Sequence, residues 1–260
     1  MTSSLEVSPY PIVISKDYDL PKQIWCYWDS GTLPKDIEEY YQNNKSVLDD
    51  WNITFLTNEN LSQYIDVSAI PNNYNSLVIQ AKADYIRLAV LYKWGGTWMD
   101  ASIIVNSKEA MEKLYTETND RRAQATLFTL WEPRPNPSFI ESWFIMAPRE
   151  SPVVGAWLHE FRFAVEITLV EYERYIHSNK YSINPRIYLP YLTIHACMQV
   201  ILQKHPELRE MMILHPAEDD MYRIHVESYW NLSRIADAVK RGHKHIPYVK
   251  LRSIDRGALK

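Results

Sequence analysis

The spacing of apolar residues predicts alternating strands and helices over the first hundred residues. Short apolar runs bounded by turn residues predict strands, and longer segments with apolar positions at helical spacing predict helices. The predicted strands are 23–31, 52–57 and 97–105, and the predicted helices are 34–51, 59–65 and 76–94. This alternation predicts an α/β fold with a mainly parallel sheet flanked by helices.

The second half of the chain is less regular. Strands are predicted at 125–133, 141–148 and 245–251, and helical patterns at 151–178 and 188–210. A proline-rich stretch at 134–138 separates the first two of these strands. We find no internal repeat and no convincing linker, so we predict one domain over residues 1–260, with an irregular arm at 1–20.

The predicted helix at 76–94 carries two charges among apolar neighbours. Its main apolar stripe is formed by Ile79, Ala83, Ile86, Val90 and Trp94. Asp84 and Arg87 lie on another side, three residues apart and within reach of each other. A buried charge is costly unless it is paired or bound. Two alternatives remain open: a structural ion pair, or a site that binds the hydroxyls or phosphates of a ligand.

A further charge, Asp100, lies near the end of the next predicted strand. Gly95 and Gly96 are expected to end the helix before that strand. Ligands of open α/β sheets bind outside the carboxyl ends of parallel strands. A carboxylate there is a suitable ligand for Mg²⁺ or Mn²⁺. Ser102 stands where a two-acid motif would have its second carboxylate, and a lone aspartate could equally cap a helix or a turn.

Composition and charge narrow the functional classes. Hydrophobic residues make up 46% of the 260 residues, enough for a packed core without disulfides. The net charge of −4 is spread along the chain and forms no basic stripe of the kind that binds nucleic acid. Cys26 and Cys197 lie far apart, so we expect reduced core thiols and a cytoplasmic location.

No feature of the sequence predicts a membrane-spanning segment. The chain has neither a signal-peptide pattern at its start nor an apolar run of about eighteen residues. A peripheral contact with a membrane, through a basic or aromatic patch, stays open.

Aromatic residues are frequent, with nine Trp and eighteen Tyr. They suit stacking on sugar or base rings, but a tyrosine-rich core is an equal alternative. In the first predicted strand, alternation places Trp25 and Tyr27 on one face and Trp28 on the other. A base can stack on such a ring. For Trp28 we favour core packing.

Four segments together resemble the capsular polysaccharide synthesis family of glycosyltransferases. They are IWCYWDSG (24–31), ADYIR (83–87), LYKWGGTWMDAS (91–102) and ESWFIMAP (141–148). The family is related to the family 32 glycosyltransferases, which carry a DXD motif, and to the clostridial glucosylating toxins. The order helix, Gly-Gly, strand, Asp is the specific part of the resemblance, which covers about half of the chain. Asp100-Ala101-Ser102 stands at the DXD-like position, where it resembles the Asp-Ala-Thr/Ser that is frequent in this family and departs from the wider DXD pattern.

The resemblance implies a GT-A fold and a retaining glycosyltransferase. It implies a Rossmann-like half at 21–110 that binds a nucleoside-diphosphate sugar, and a more helical half at 111–260 on the side of the glycan or polysaccharide acceptor. It also implies Mn²⁺ or Mg²⁺ as cofactor. A catalytically degenerate protein that binds a sugar nucleotide or a glycan is the alternative, and a purely structural domain is a second one.

The resemblance also implies roles for individual residues. Asp84 and Arg87 would hold the donor sugar, and Asp100 would hold the metal and the diphosphate, with Ser102 as a weaker ligand. Trp25 would lie against the base, on the strand face that it shares with Tyr27.

The C-terminal part adds further candidates. Ser228 and Trp230 have the Ser-x-Trp spacing of the segment that closes on the donor diphosphate in the related toxins, and the neighbouring His225 would be a metal ligand. In the basic cluster that also contains His243 and Lys244, Lys250 or His245 would neutralise the leaving diphosphate. A solvated surface strand is the alternative for this cluster. A Cys–His nucleophile is not expected, because His195 and Cys197 do not face one another on a helix.

Overall fold

The computed structural model describes residues 10–131, 138–242 and 245–259. The first nine residues of the predicted arm, most of the proline-rich stretch, and His243 and Lys244 of the basic cluster lie outside these ranges. The strands are β1 (Gln23–Tyr27), β2 (Asn52–Leu56), β3 (Gly96–Met99), β4 (Ile103–Val105), β5 (Ala125–Thr129), β6 (Ile140–Ala147), β7 (Met212–Pro216) and β8 (Tyr248–Lys250). The α-helices are α1 (Lys35–Val47), α2 (Ile79–Trp94), α3 (Lys108–Asp120), α4 (Pro152–Ile167), α5 (Leu169–Ser178), α6 (Thr193–Lys204), α7 (Arg223–Glu227), α8 (Leu232–Lys240) and α9 (Ser253–Leu259).

Six of the strands form one mixed sheet in the order β2-β1-β3-β6-β5-β7. β1 is parallel to β2 and β3, and β5 is parallel to β7. β6 is antiparallel to both of its neighbours, β3 and β5. The predicted α/β fold with a mainly parallel sheet is confirmed, and the antiparallel β6 is an addition to it.

Helices cover both faces of the sheet. Trp25 and Tyr27 pack on one face in a core cluster that includes residues of α2, α4 and α6. Ile24 and Cys26 point to the other face, into a cluster that includes residues of α3. β1 is therefore buried on both sides, and the predicted alternation along it is confirmed.

The helix α2 is buried on more than one side. Its buried residues are Ala81, Tyr85, Ile86, Arg87, Leu88, Val90 and Leu91. The predicted stripe is wrong at its two ends, because Ile79 and Trp94 are 37% and 38% exposed. Gly95 ends the helix as predicted: its φ is 66°, and its N–H donates to the carbonyl of Leu91 at 2.8 Å.

The single strand predicted at 97–105 is two strands in two different sheets. β3 ends at Met99, and a turn follows in which the N–H of Ile103 donates to the carbonyl of Asp100 at 2.9 Å. β4 then pairs with β8 in a separate two-stranded antiparallel sheet, with Ile103 opposite Lys250. This break brings Asp100 to the edge of the main sheet, beside the C-terminal part of the chain.

Other predicted elements are shorter than expected. The helix expected at 59–65 is a single 3₁₀ turn at Leu61–Gln63, and the helical pattern at 188–210 gives α6 and a 3₁₀ turn at Pro206–Met211. Within the described ranges, both cysteines are free and buried, and burial raises the pKa of the Cys26 thiol to about 12. No helix within those ranges combines the length and the apolar character of a membrane span.

Candidate active site

A cavity of about 670 Å³ opens where β1 and β3 end. The start of β6 reaches the same edge because β6 runs antiparallel, and the N–H of Asp100 donates to the carbonyl of Trp143 at 2.9 Å. A volume of this size is typical of small-molecule sites. The position is the one expected for ligands of an open α/β sheet.

Arg87 lies at the base of this cavity and is held by three side chains. One terminal nitrogen, Nη1, donates to Asp84 Oδ1 at 2.5 Å and to Ser142 Oγ at 2.9 Å. The other, Nη2, donates to Asp100 Oδ1 at 3.0 Å. The guanidinium carbon lies 5.1 Å from the centre of the Trp98 ring. The charges that stand out in the sequence are therefore partners of one another.

Asp100 is bound by cations at both of its oxygens. Oδ1 accepts from Arg87 and from the indole nitrogen of Trp98, each at 3.0 Å. Oδ2 accepts from Lys250 Nζ at 2.8 Å, and the same ammonium donates to Ser102 Oγ at 2.8 Å. The Asp100 side chain remains 28% exposed. It therefore stays accessible to a molecule in the cavity.

The two aspartates of this cluster differ in acidity. Burial raises the pKa of the Asp100 carboxyl, but the charges of Lys250 and Arg87 outweigh burial and bring that pKa to about 2. Burial also raises the pKa of Asp84, and there it outweighs the opposing charge of Arg87, so the net shift is upward. Asp100 is therefore ionised at neutral pH, and Asp84 is the weaker acid.

The metal set predicted from the sequence is not formed. His225 is fully buried away from the cavity, and its Nε2 lies 2.9 Å from Asp255 Oδ2. Asp100 and Ser102 do lie together, but the Lys250 ammonium lies between their oxygens. Among the residues that the structure describes, no three His, Cys, Asp or Glu side chains are grouped to hold a metal. These donors do not fit Mg²⁺ or Mn²⁺, which bind to several oxygens and no ammonium.

Ser228 and Trp230 lie beside the cavity and do not line it. Ser228 is buried at the end of α7. The Trp230 ring lies 5.6 Å from the ring of Tyr222 and 5.1 Å from the guanidinium of Arg252, and these two residues do line the cavity. Contact of Ser228 and Trp230 with a diphosphate therefore stays a prediction.

One aromatic residue of the first strand is placed differently from the prediction. Trp25 is buried in the middle of β1, where its indole nitrogen donates to the carbonyl of Gly95 at 2.9 Å, and it does not line the cavity. Trp28 does line it, because β1 ends at Tyr27 and the next residue leaves the sheet at its carboxyl edge. Tyr27 also lines the cavity, and its hydroxyl donates to Asn58. The expectation for Trp25 is corrected. Trp28 shows the core packing expected of it, because it is partly buried against a cluster of residues from α1, α8 and β8, and it lines the cavity as well.

Sequence reasoning missed a pair of side chains on the wall formed by β6 and α6. His195 Nε2 lies 3.4 Å from Glu141 Oε2, and both side chains are almost fully buried. Neither ring nitrogen of His195 has a hydrogen-bond partner among the described residues. Both residues line the cavity. The sequence offers one signal for this pair. Glu141 stands at the start of a predicted strand, directly after a proline-rich stretch.

The C-terminal segment contributes more cations than predicted. Lys250, Arg252 and Arg256 all line the cavity. Arg252 also donates to both carboxylate oxygens of Asp255, and Arg256 lies 3.8 Å from Asp36. His245 lies away from the cavity, 3.5 Å from Glu227, in an exposed position. The solvated alternative therefore fits His245, whereas Lys250 belongs to the site.

The chain is similar to known glycosyltransferases both in sequence and in structure. A curated relative, the O-glycosyltransferase braB of Annulohypoxylon truncatum, is 27% identical over 156 residues, which cover 54% of this chain. The match spans only 37% of the length of that protein. Among solved structures, the PaToxG glycosyltransferase has a TM-score of 0.47 and 12% identity, with 93% of this chain and 84% of that chain covered. A glycosyltransferase involved in the glycosylation of the major capsid of PBCV-1 has a TM-score of 0.41 and 13% identity, with coverages of 90% and 98%.

A family model described as "Capsular polysaccharide synthesis protein" matches residues 13–234. This match covers the parallel part of the sheet, the Asp84–Arg87–Asp100 cluster and the Glu141–His195 pair. It also confirms the resemblance seen in the sequence. Because it extends over well more than half of the residues, the chain belongs to the capsular polysaccharide synthesis protein family.

Proposed function

We propose that the chain is a GT-A glycosyltransferase that moves a sugar from a nucleoside-diphosphate sugar to a hydroxyl of a glycan or polysaccharide. The observation that carries this proposal is the Asp84–Arg87–Asp100 cluster at the carboxyl edge of parallel strands, open to a cavity of ligand size. Membership of the family and the similarity to an O-glycosyltransferase support it. The buried free thiols support a reducing, cytoplasmic location.

The donor is held by residues of opposite charge in this proposal. Asp84 accepts hydrogen bonds from sugar hydroxyls, since its carboxylate has a second oxygen beside the one bound to Arg87. Lys250 is the cation next to Asp100 and attracts the diphosphate. Trp28 and Tyr27 offer rings to the base at the end of β1. The Glu141–His195 pair lines the same cavity.

Catalysis in this proposal consists of positioning and of stabilising the leaving diphosphate. The bond between the anomeric carbon and the phosphate oxygen breaks, and its electron pair leaves with the diphosphate. The acceptor oxygen forms its bond on the same face of the sugar, and its proton passes to the leaving phosphate oxygen. This front-face path retains the anomeric configuration and needs no nucleophile from the protein.

The test is release of nucleotide from a panel of sugar nucleotides, measured with and without glycan acceptors. Asp100→Asn keeps an oxygen for Arg87 and Trp98 but loses the charge that orients Lys250. We expect it to lower turnover about 100-fold or more while the protein stays folded. Asp120→Asn, at an exposed position on α3, is the matched control and should retain full turnover. Full activity of Asp100→Asn would refute the role given to Asp100.

One observation favours a second candidate, a degenerate binding protein. Ser102 replaces the second carboxylate of the two-acid motif, and Arg87 already has internal partners. Nucleotide binding without any release, across the whole panel, would favour this candidate. Absence of binding would favour a structural role, with Asp84 and Arg87 as a core ion pair.

A further inference from the structure

We propose that the ammonium of Lys250 takes the place of a divalent metal ion in this site, so that the diphosphate of the donor binds without Mg²⁺ or Mn²⁺. This inference rests on the proposed function, because it concerns how the same cavity holds a sugar nucleotide. It replaces the metal dependence that the sequence led us to expect.

The position of Lys250 is the first argument. Its Nζ lies 2.8 Å from Asp100 Oδ2 and 2.8 Å from Ser102 Oγ. These are the two oxygens that the DXD-like spacing would offer to a metal ion. A divalent ion bound to both would lie within a few ångströms of the ammonium, and like charges at that distance repel strongly. The amine and the ion therefore compete for one place.

Charge is the second argument. In a two-acid motif, two carboxylates balance the two positive charges of the metal. Here Ser102 is neutral, Asp100 supplies one negative charge, and Lys250 supplies one positive charge. The sum of these charges is zero in both arrangements. The serine that stands in place of the second carboxylate of the wider DXD pattern thus contacts the lysine that faces it.

The way in which Lys250 is held is the third argument. It belongs to β8, with Ile103 as its opposite residue on β4. Its own N–H donates to the carbonyl of Met221 at 2.9 Å, and the N–H of Leu251 donates to the carbonyl of Ser102 at 3.1 Å. The side chain is only 9% exposed. A strand fixed on both sides presents the amine in a defined position, as a pre-organised site requires.

The donor capacity of the amine is the fourth argument. An ammonium has three N–H donors. Asp100 and Ser102 take two of them. Because Lys250 lines the cavity, the third can be donated to a phosphate oxygen of the ligand. Lysine binds phosphate as a point charge, which is the role otherwise given to the metal.

The experiment is thermal unfolding of the purified chain with UDP, GDP, CDP or TDP, each with Mn²⁺, with Mg²⁺ or with EDTA. A ligand that binds the folded state raises the unfolding temperature. We expect one nucleotide to raise it by a similar amount in EDTA and with either metal. A shift seen only with metal would overturn this inference and leave the proposed function intact. No shift under any condition would overturn both.

Variants test the role of the amine directly. Lys250→Met should weaken nucleotide binding in EDTA about 10- to 100-fold, the range for one lost hydrogen bond to a charged group. Lys240→Met, at an exposed position on α8, is the matched control and should bind as the original chain does. Unchanged binding by Lys250→Met would overturn the inference. If Lys250→Met does not fold, the comparison of EDTA with metal on the unmodified chain decides alone.

A double variant tests the exchange of amine for metal. Ser102→Asp combined with Lys250→Ala restores two carboxylates and removes the competing ammonium. We expect its nucleotide binding to appear with Mn²⁺ or Mg²⁺ and to vanish in EDTA. Binding that ignores metal in this variant as well would contradict the exchange.

Discussion

At the scale of single residues, the cavity contains a cluster of paired charges. The sequence left open whether Asp84 and Arg87 form an internal pair or hold a ligand, and the structure shows the internal pair together with an open cavity. Removing one partner of a buried pair costs about 3–5 kcal/mol, because the other charge is left without compensation. Variants of Arg87 therefore report stability and function together. The same holds for Lys250, whose side chain is 9% exposed, whereas Asp100, at 28% exposed, is the more accessible member of the cluster.

Substitution of Trp28 should lower nucleotide affinity, whereas substitution of Trp25 should lower the stability of the fold. Trp28→Ala removes a ring that lines the cavity, so we expect nucleotide affinity to fall about 5- to 100-fold, as for the loss of one stacked base. Trp25→Ala removes a buried ring and the donor to Gly95, so we expect a loss of about 3–5 kcal/mol in the free energy of unfolding. Calorimetric titration and chemical denaturation measure the two effects. Nucleotide affinity that is unchanged in Trp28→Ala would refute the stacking role.

At the scale of elements, local patterns predicted most of the sheet and its larger helices in both halves of the chain, but not the break within 97–105 or several of the helices. The pattern around α2, its end at Gly95, and the placement of Asp100 at a strand end all follow from local signals. The break between β3 and β4 does not, because it depends on pairing with β8, which lies far along the chain. The helices α3 and α7–α9 were missed. For Trp25 and Trp28, the residue at which β1 ends decided the outcome, and the pattern extended that strand to Gly31.

The start of β3 should tolerate no side chain at Gly96. Its φ is 98°, and a Cβ there would lie 2.4 Å from the carbonyl oxygen of Gln23 in β1. We expect Gly96→Ala to lose about 1–3 kcal/mol for the backbone alone, and more for the clash. Activity should fall with stability, because β3 carries Asp100 to the cavity. Denaturant unfolding measures the loss.

Gly257→Ala is the matched control for this substitution. A Cβ at Gly257 meets nothing within 4 Å, and the residue lies inside the helix α9. Alanine there should be neutral or should stabilise by up to about 1 kcal/mol. Equal losses in the two variants would show that the contact with Gln23 is not the cause.

At the scale of the whole molecule, the two predicted halves share one sheet. β6, from the second half, pairs with β3 of the first half, and β5 and β7 extend the sheet beyond it. The cavity is likewise shared, since Asp100 comes from the first half and Glu141, His195 and Lys250 come from the second. The boundary predicted between residues 110 and 111 therefore divides neither the sheet nor the lining of the cavity.

The stability of the molecule should fall in mild acid through His225. Burial lowers the pKa of this histidine below its usual 6.5. The hydrogen bond and the charge of Asp255 raise it, but burial outweighs them. The unfolded chain therefore takes up the proton first, so the contribution of His225 is complete above pH 6.5 and declines below it. Asp255 acts the same way at lower pH: burial raises its pKa, but Arg252 and His225 bring it to about 2 from 3.8. The stability that Asp255 contributes is lost as the pH falls from 3.8 to about 2.

The measurement is the free energy of unfolding of the original chain and of His225→Gln between pH 5 and pH 8. The difference between the two proteins should be largest at pH 8 and should shrink toward pH 5. Parallel curves for the original chain and His225→Gln would show that this histidine is not the titrating group.

The pairing of β4 with β8 has a consequence for the order of events during synthesis. Lys250 lies 150 positions after Asp100. At about 5–20 residues per second, a ribosome makes this length in about 8 to 30 seconds. Throughout that time the nascent chain carries Asp84, Arg87 and Asp100 without the amine that completes their cluster. A partly made chain therefore lacks the cation beside Asp100, and the charge cluster is complete only when β8 has paired with β4.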